Sequence, residues 1–139
     1  MEQLTILSNR IPKTTGRKNS VRLTRNSKII KTIINAIQAK KGENIISLDL
    51  RKIEEAVADF FIICEANNTP QIRALSEYVE EQVHEKCGEK PFHHEGHKGL
   101  KWVLIDYVNV VVHIMTPETR TFYKLEDMWS DSKAEKHSD

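Results

Sequence analysis

The chain predicts a mixed α/β domain, a β-sheet flanked by helices. Three observations lead there. Two apolar, β-branched runs, Trp102-Val103-Leu104-Ile105 and Val110-Val111-Val112-His113-Ile114-Met115, flank a polar break at Asp106-Tyr107-Val108-Asn109 and read as paired strands. Their apolar positions are successive rather than alternating, which fits strands covered on both faces. Ile29, Ile30, Ile33, Ile34 and Ile37 recur at helical spacing, so helices are on hand to cover a face.

Taken in order, the first helix starts near Ser27, a suitable N-cap, and stops at Gly42. Asn44 to Asp49 reads as a strand, and Leu50 to Val57 as a connection with at most a helical turn. Asp59 to Ala66 is a second strand, apolar on both faces. Asn67-Asn68-Thr69-Pro70 then opens a helix with a capping residue and a first-turn proline. Ile72, Leu75, Val79 and Val83 form its buried stripe, and Gly88 ends it. Pro91 to His94 suits a short strand before the strand pair. Two short helical pieces follow, Pro117 to Phe122 and Leu125 to Trp129. The last ten residues are polar and expected to fray, with 132–139 assigned as a polar C-terminal tail.

Composition bounds the function classes. At 139 residues, 39% hydrophobic and 29% charged, one domain with its own core is expected. No apolar run approaches the roughly 20 residues of a membrane span, and the N-terminus lacks an apolar signal region. Cys64 and Cys87 form no disulfide pattern, which points to free thiols in a reducing, cytoplasmic setting.

The net charge of +1 hides an asymmetry. Residues 1–28 carry seven basic groups against Glu2 alone, and the rest of the chain carries 14 basic and 19 acidic residues. Residues 1–27 therefore read as a basic, disordered extension. Arg17, Lys18, Arg22 and Arg25 are its candidate contacts to RNA phosphates. A solvated extension without a role, or an Arg-rich transit peptide, stays open.

Several side chains invite chemistry. His93, His94 and His97, with Cys87 and Glu95 nearby, match no compact zinc spacing and read as a polar loop, so no metal or other cofactor is expected. His113 reads as a hydrogen-bonded core histidine, and Cys64 as an inert core thiol. Asp49, Asp59 and Asp106 stand at strand ends, where magnesium for nucleotidyl transfer is the functional alternative to turn capping. The chain has no Asp-x-Asp pair, Walker A motif or G-x-G-x-x-G. An enzyme is therefore not expected.

The ordered series Asn44 to Asp49, Ala58 to Ile63, Gln71-Ile72-Arg73-Ala74, Glu95-Gly96, Trp102 to Tyr107, Val110 to Ile114 and Arg120 to Trp129 resembles the ribosomal silencing factor (Iojap-like) family over residues 28–131. The resemblance implies a nucleotidyltransferase-like fold without the catalytic motif. It further implies binding to ribosomal protein L-fourteen on the large ribosomal subunit, a steric block to subunit joining, and repression of translation when nutrients are scarce. Organelle relatives are associated with ribosome assembly. The chain departs from the family where Val108-Asn109 replaces the usual Gly-Asp, so this turn does without glycine.

An acidic domain with exposed aromatics suits a basic ribosomal protein. Trp102, Asp106 and Tyr107 are the first expected contacts, with Glu95 and Trp129 behind them, and core packing is the alternative for Trp102 and Tyr107, since large aromatics are often mostly buried. Trp102 and Asp106 lie four residues apart on one strand and so share a sheet face. Asp106 is expected to be a tolerant strand-end charge. The rival readings are a magnesium-dependent nucleotidyltransferase-like enzyme, a ribosome assembly factor and a homodimeric scaffold.

Overall fold

The computed structural model describes residues 27–129 and 132–138. The basic extension, with Arg17, Lys18, Arg22 and Arg25, lies outside them. The elements are α1 (Lys28–Ala39), β1 (Glu43–Asp49), β2 (Phe60–Glu65), α2 (Thr69–Cys87), β3 (His93–Glu95), β4 (Trp102–Asp106), β5 (Val110–Met115), α3 (Pro117–Tyr123), α4 (Leu125–Met128) and β6 (Lys133–His137). They build one six-stranded sheet in the order β3-β4-β5-β2-β1-β6. β2 and β5 run parallel, and every other neighbouring pair is antiparallel. This is the mixed sheet expected from the sequence. A parallel pair needs a crossover, and α2 lies within the one that links β2 to β5.

The continuous apolar runs are explained by what covers the sheet. Phe60, Ile62 and Cys64 of β2 and Val110, Val112 and Ile114 of β5 pack with the stripes of α1 and α2. Their alternating partners Phe61, Ile63, Val111 and Met115 pack with Leu50, Ala56, Ala58 and Leu125 on the other face. Successive strand residues point to opposite faces, so a strand covered twice must be apolar at every position. No helix among the described residues is long and apolar enough to cross a membrane.

Local signals account for the element ends. Ser27 stands at the N-cap of α1. Asn68 caps α2, its side-chain oxygen accepting the Gln71 N–H at 2.9 Å, with Pro70 in the first turn. Gly88 closes α2 in the left-handed conformation, at φ 69°. Gly96 is required twice over. Its φ is +88°, and a Cβ there would lie 1.9 Å from the Trp102 carbonyl oxygen.

The C-terminus corrects an expectation. The polar tail over 132–139, expected to fray, contains β6, which pairs with β1 from Ile45↔His137 to Asp49↔Lys133. The Ser47 hydroxyl meets His137 Nε2 at 2.9 Å, and the Gln38 amide donates to the Ser138 carbonyl at 2.7 Å. An edge strand is held by backbone pairing and needs no apolar face, and lysines such as Lys133 and Lys136 blunt it against further pairing.

The β4–β5 turn bears the departure from the family pattern. Val108 sits at φ 74°, in the left-handed region that glycine tolerates and a β-branched residue resists. The turn is held by Tyr107 N–H donating to the Val110 carbonyl and Asn109 N–H to the Tyr107 carbonyl, both at 2.9 Å. Such backbone strain costs about 1–3 kcal/mol, and the looser unfolded chain of glycine offsets about 0.5–1 kcal/mol of the relief. Val108→Gly is therefore expected to stabilise the protein by about 1 kcal/mol, raising the thermal midpoint by about 2–4 °C. A melting curve that stays put or moves down contradicts this.

Candidate functional site

The first expected contact residues are in the core or at its margin. Trp102 is 4% exposed, Asp106 1% and Tyr107 5%. Trp102 lies on the face opposite α1 and α2. Its indole N–H donates to His113 Nδ1 at 3.0 Å, and its ring stands 5.0 Å from that of Tyr123. Of the two readings open for Trp102, contact residue or core residue, the indole takes the core one, because β4 is covered on this face by the C-terminal segment.

The expectation for Asp106 is corrected. Its carboxylate accepts the Val108 N–H at 2.7 Å, holding the strained turn in place. A buried carboxylate with this task is not a tolerant surface charge, so Asp106→Lys is expected to disrupt the turn. Tyr107 packs on the other face, among residues of the α1–α2 core. Burial pushes its phenol up, and the charges of Glu80 and Glu89 add to the shift.

The expected core groups behave as read. Cys64 is buried and Cys87 half-buried, both as free thiols. His113 is fully buried, and burial lowers it to about 3, so it is neutral at physiological pH. With Nδ1 accepting from Trp102, the ring proton resides on Nε2, facing no oxygen or nitrogen partner. The Phe61 ring lies edge-on 4.7 Å from the imidazole.

The strand-end carboxylates do not assemble a metal centre. Asp49 is held in a two-point pair by Arg51, Nε to Oδ1 at 2.9 Å and Nη2 to Oδ2 at 2.6 Å. That bond holds the Arg51 guanidinium above its ordinary value. Among the described residues, the single cluster of three or more metal-ligating side chains is Glu80, His94 and His97, and it contains none of the three aspartates.

Among the described residues, two large aromatics are exposed, Phe92 before β3 at 49% and Phe122 on α3, and the second belongs to an aromatic surface that runs from α3 to the end of α4. Phe122 is 77% exposed and packs edge-on against Tyr123 at 4.9 Å, which in turn stacks on buried Trp102. Trp129 is half-buried and meets Phe61 edge-on at 5.7 Å. Arg120 pins this unit to the sheet. It donates to the Asn44 carbonyl at 2.6 Å and pairs with Glu65 at 3.1 Å and Glu126 at 2.9 Å. Phe122 and Arg120 were not singled out from the sequence. The available signal was the adjacent pair Phe122-Tyr123, since neighbours on a helix point about 100° apart and a short helix with two adjacent large aromatics readily leaves one at the surface.

Of the remaining expected contacts, Glu95 is half-buried on the β3 edge, its carboxylate 3.3 Å from His93 Nε2.

The sequence pattern described as "Ribosomal silencing factor during starvation" matches residues 24–139. The chain belongs to the ribosomal silencing factor family. A relative in Halalkalibacterium halodurans, ribosomal silencing factor RsfS, is 34% identical over 107 residues, covering 77% of this chain and 90% of the relative. A crystal structure of a Chromobacterium violaceum protein is 32% identical with a TM-score of 0.70, covering 80% of this chain and 91% of that one. A mouse protein, "Mitochondrial assembly of ribosomal large subunit protein 1", is 34% identical over 79 residues, covering 55% of this chain and 35% of its own length. Within this ribosomal silencing factor family member, the match reaches past Trp129 to the C-terminus, over the β6 strand.

Proposed function

We propose that this family member is a non-enzymatic regulator of translation. It binds the large ribosomal subunit in the cytoplasm through ribosomal protein L-fourteen. Its bulk then blocks joining of the small subunit and lowers translation under nutrient limitation. Membership in the ribosomal silencing factor family carries this reading.

The α3–α4 surface is the proposed docking face. Phe122 supplies an exposed apolar anchor, and Tyr123 and Trp129 extend it. Glu118 and Asp127 are exposed around it, which suits a basic partner. Trp102 serves this face from beneath by supporting Tyr123. Asp106 and Tyr107 act through the turn they build. Glu95 is the next contact to consider. The basic extension adds phosphate contacts to rRNA through Arg17, Lys18, Arg22 and Arg25, without reading bases.

Co-sedimentation of the full chain with purified large subunits tests the reading. Phe122→Ala is expected to stay folded, because the ring is exposed, and to weaken binding roughly 30-fold, as a hot-spot anchor does. Removing residues 1–26 should preserve the site and flatten the salt dependence. A folded Phe122→Ala protein that binds like the wild type moves the docking face elsewhere. Calorimetric binding of ATP with magnesium, lost on Asp59→Ala in a folded protein, would favour the enzyme instead.

A ribosome assembly role is the second reading, favoured by the name of the mouse relative. Depletion of the chain would then cause immature large subunits to accumulate.

A further inference from the structure

We propose that Glu80, His94 and His97 form a zinc site that ties the β3 edge to α2. The side chains come from two parts of the chain, α2 and the β3 segment. Glu80 lies on α2, His94 on β3 opposite Ile105 of β4, and His97 just beyond the tight Gly96 turn. Glu80 Oε2 is 3.1 Å from His94 Nδ1 and 3.6 Å from His97 Nε2. The three ligand atoms all lie within 4.8 Å of one another.

These separations match the ion's geometry. Zinc bonds to nitrogen and oxygen are about 2.0–2.2 Å, so tetrahedral ligand atoms stand about 3.3–3.5 Å apart. The two Glu80 distances bracket that value. The imidazoles, with ring centroids 4.4 Å apart, converge on it by rotating about their side-chain bonds. Both are exposed enough to turn, while the backbone beneath them is fixed. α2 is a 19-residue helix, β3 is paired to β4, and Gly96 lies hard against the Trp102 carbonyl. The preorganised part of the site is therefore its framework.

The donor set selects the ion. Two imidazoles and a carboxylate favour zinc over magnesium or calcium, which take all-oxygen shells. Three protein ligands leave a fourth position for water. Glu77, one turn earlier on α2, adds negative charge near His97, while His93 and Cys87 have partners of their own. His93 pairs with Glu95 at 3.3 Å, and the Cys87 thiol faces the Thr32 hydroxyl at 3.6 Å. The site is thus Glu80–His94–His97, and it excludes the Cys87 and His93 combinations that sequence proximity suggests.

Titration of the chelator-stripped full chain with zinc chloride tests this by calorimetry, with cobalt substitution reporting coordination through its visible absorption. The expected result is one equivalent bound with micromolar or tighter affinity, a tetrahedral cobalt spectrum, and a higher thermal midpoint with zinc. Glu80→Gln and His97→Gln should each weaken binding at least roughly 10-fold, while His93→Gln leaves it unchanged. All three side chains are at the surface, so the variants should fold. Absence of zinc binding in the wild type overturns the site. So does binding that survives His97→Gln and is lost on His93→Gln.

Discussion

Trp102→Ala lowers the stability of this protein by about 3–5 kcal/mol, the usual cost of emptying a large aromatic site in a core. The indole is 4% exposed, packs in the cluster with Leu104, Met115 and Phe61, and supports Tyr123 at 5.0 Å. Its removal also leaves His113 Nδ1 without the N–H that it accepts at 3.0 Å. A buried acceptor left unmatched adds about 1–3 kcal/mol. Since a domain has only about 5–15 kcal/mol in total, the variant should be marginally folded. Urea unfolding measures this directly. Trp102→Phe separates the terms, keeping most of the volume and losing the hydrogen bond. A loss under about 1 kcal/mol for Trp102→Ala, with an unchanged denaturant slope, would contradict the packing account. The variant should also bind ribosomal particles less well, because Phe122 rests on Tyr123 and Tyr123 on Trp102. Phe122→Ala, by contrast, should lose binding with little loss of stability.

Acid is expected to unfold the protein through His113. Burial lowers this imidazole from 6.5 to about 3, so the folded state resists a proton that the unfolded state takes up. Between those two pH values the unfolded chain binds more protons, and stability falls as pH falls. Above 6.5 the effect is absent. Each full pH unit inside the window costs up to about 1.4 kcal/mol, so the loss approaches roughly 4–5 kcal/mol near pH 3. Denaturant midpoints measured between pH 7.5 and pH 4 read the slope. His113→Gln should be less stable at neutral pH, because the pair with Trp102 is disturbed, yet its stability should fall less steeply with acid. Equal slopes for wild type and variant would remove His113 as the cause.

Much of the architecture is legible in the residues. The isoleucine stripe of α1, the Asn68 cap of α2 and the doubly apolar runs of β2, β4 and β5 are local patterns with short-range physical causes. They specify helix or strand without reference to the rest of the chain. His113 is similarly legible, since a lone histidine inside a β-branched run has to be buried and hydrogen-bonded. β6 is not legible. Lys133-Ala134-Glu135-Lys136-His137 has neither apolar alternation nor strong strand propensity, and it becomes a strand because β1 presents an unpaired edge.

The site divides along the same line. The sequence by itself determined that Trp102, Asp106 and Tyr107 belong to one rigid strand-and-turn unit and that no phosphate-binding motif accompanies them. It also determined the family resemblance, which rests on spacing along the chain. Only the tertiary structure decided which of those residues meet solvent. Trp102 became a support because α3 and α4 fold back over its face of the sheet, Asp106 clamps its own turn through the Val108 N–H, and Phe122 was left outside as an exposed ring. The tertiary structure alone likewise joined Glu80 to His94, fourteen residues along the chain. Burial and convergence depend on which surfaces the folded elements cover, and a pattern of neighbours along the chain carries no record of that.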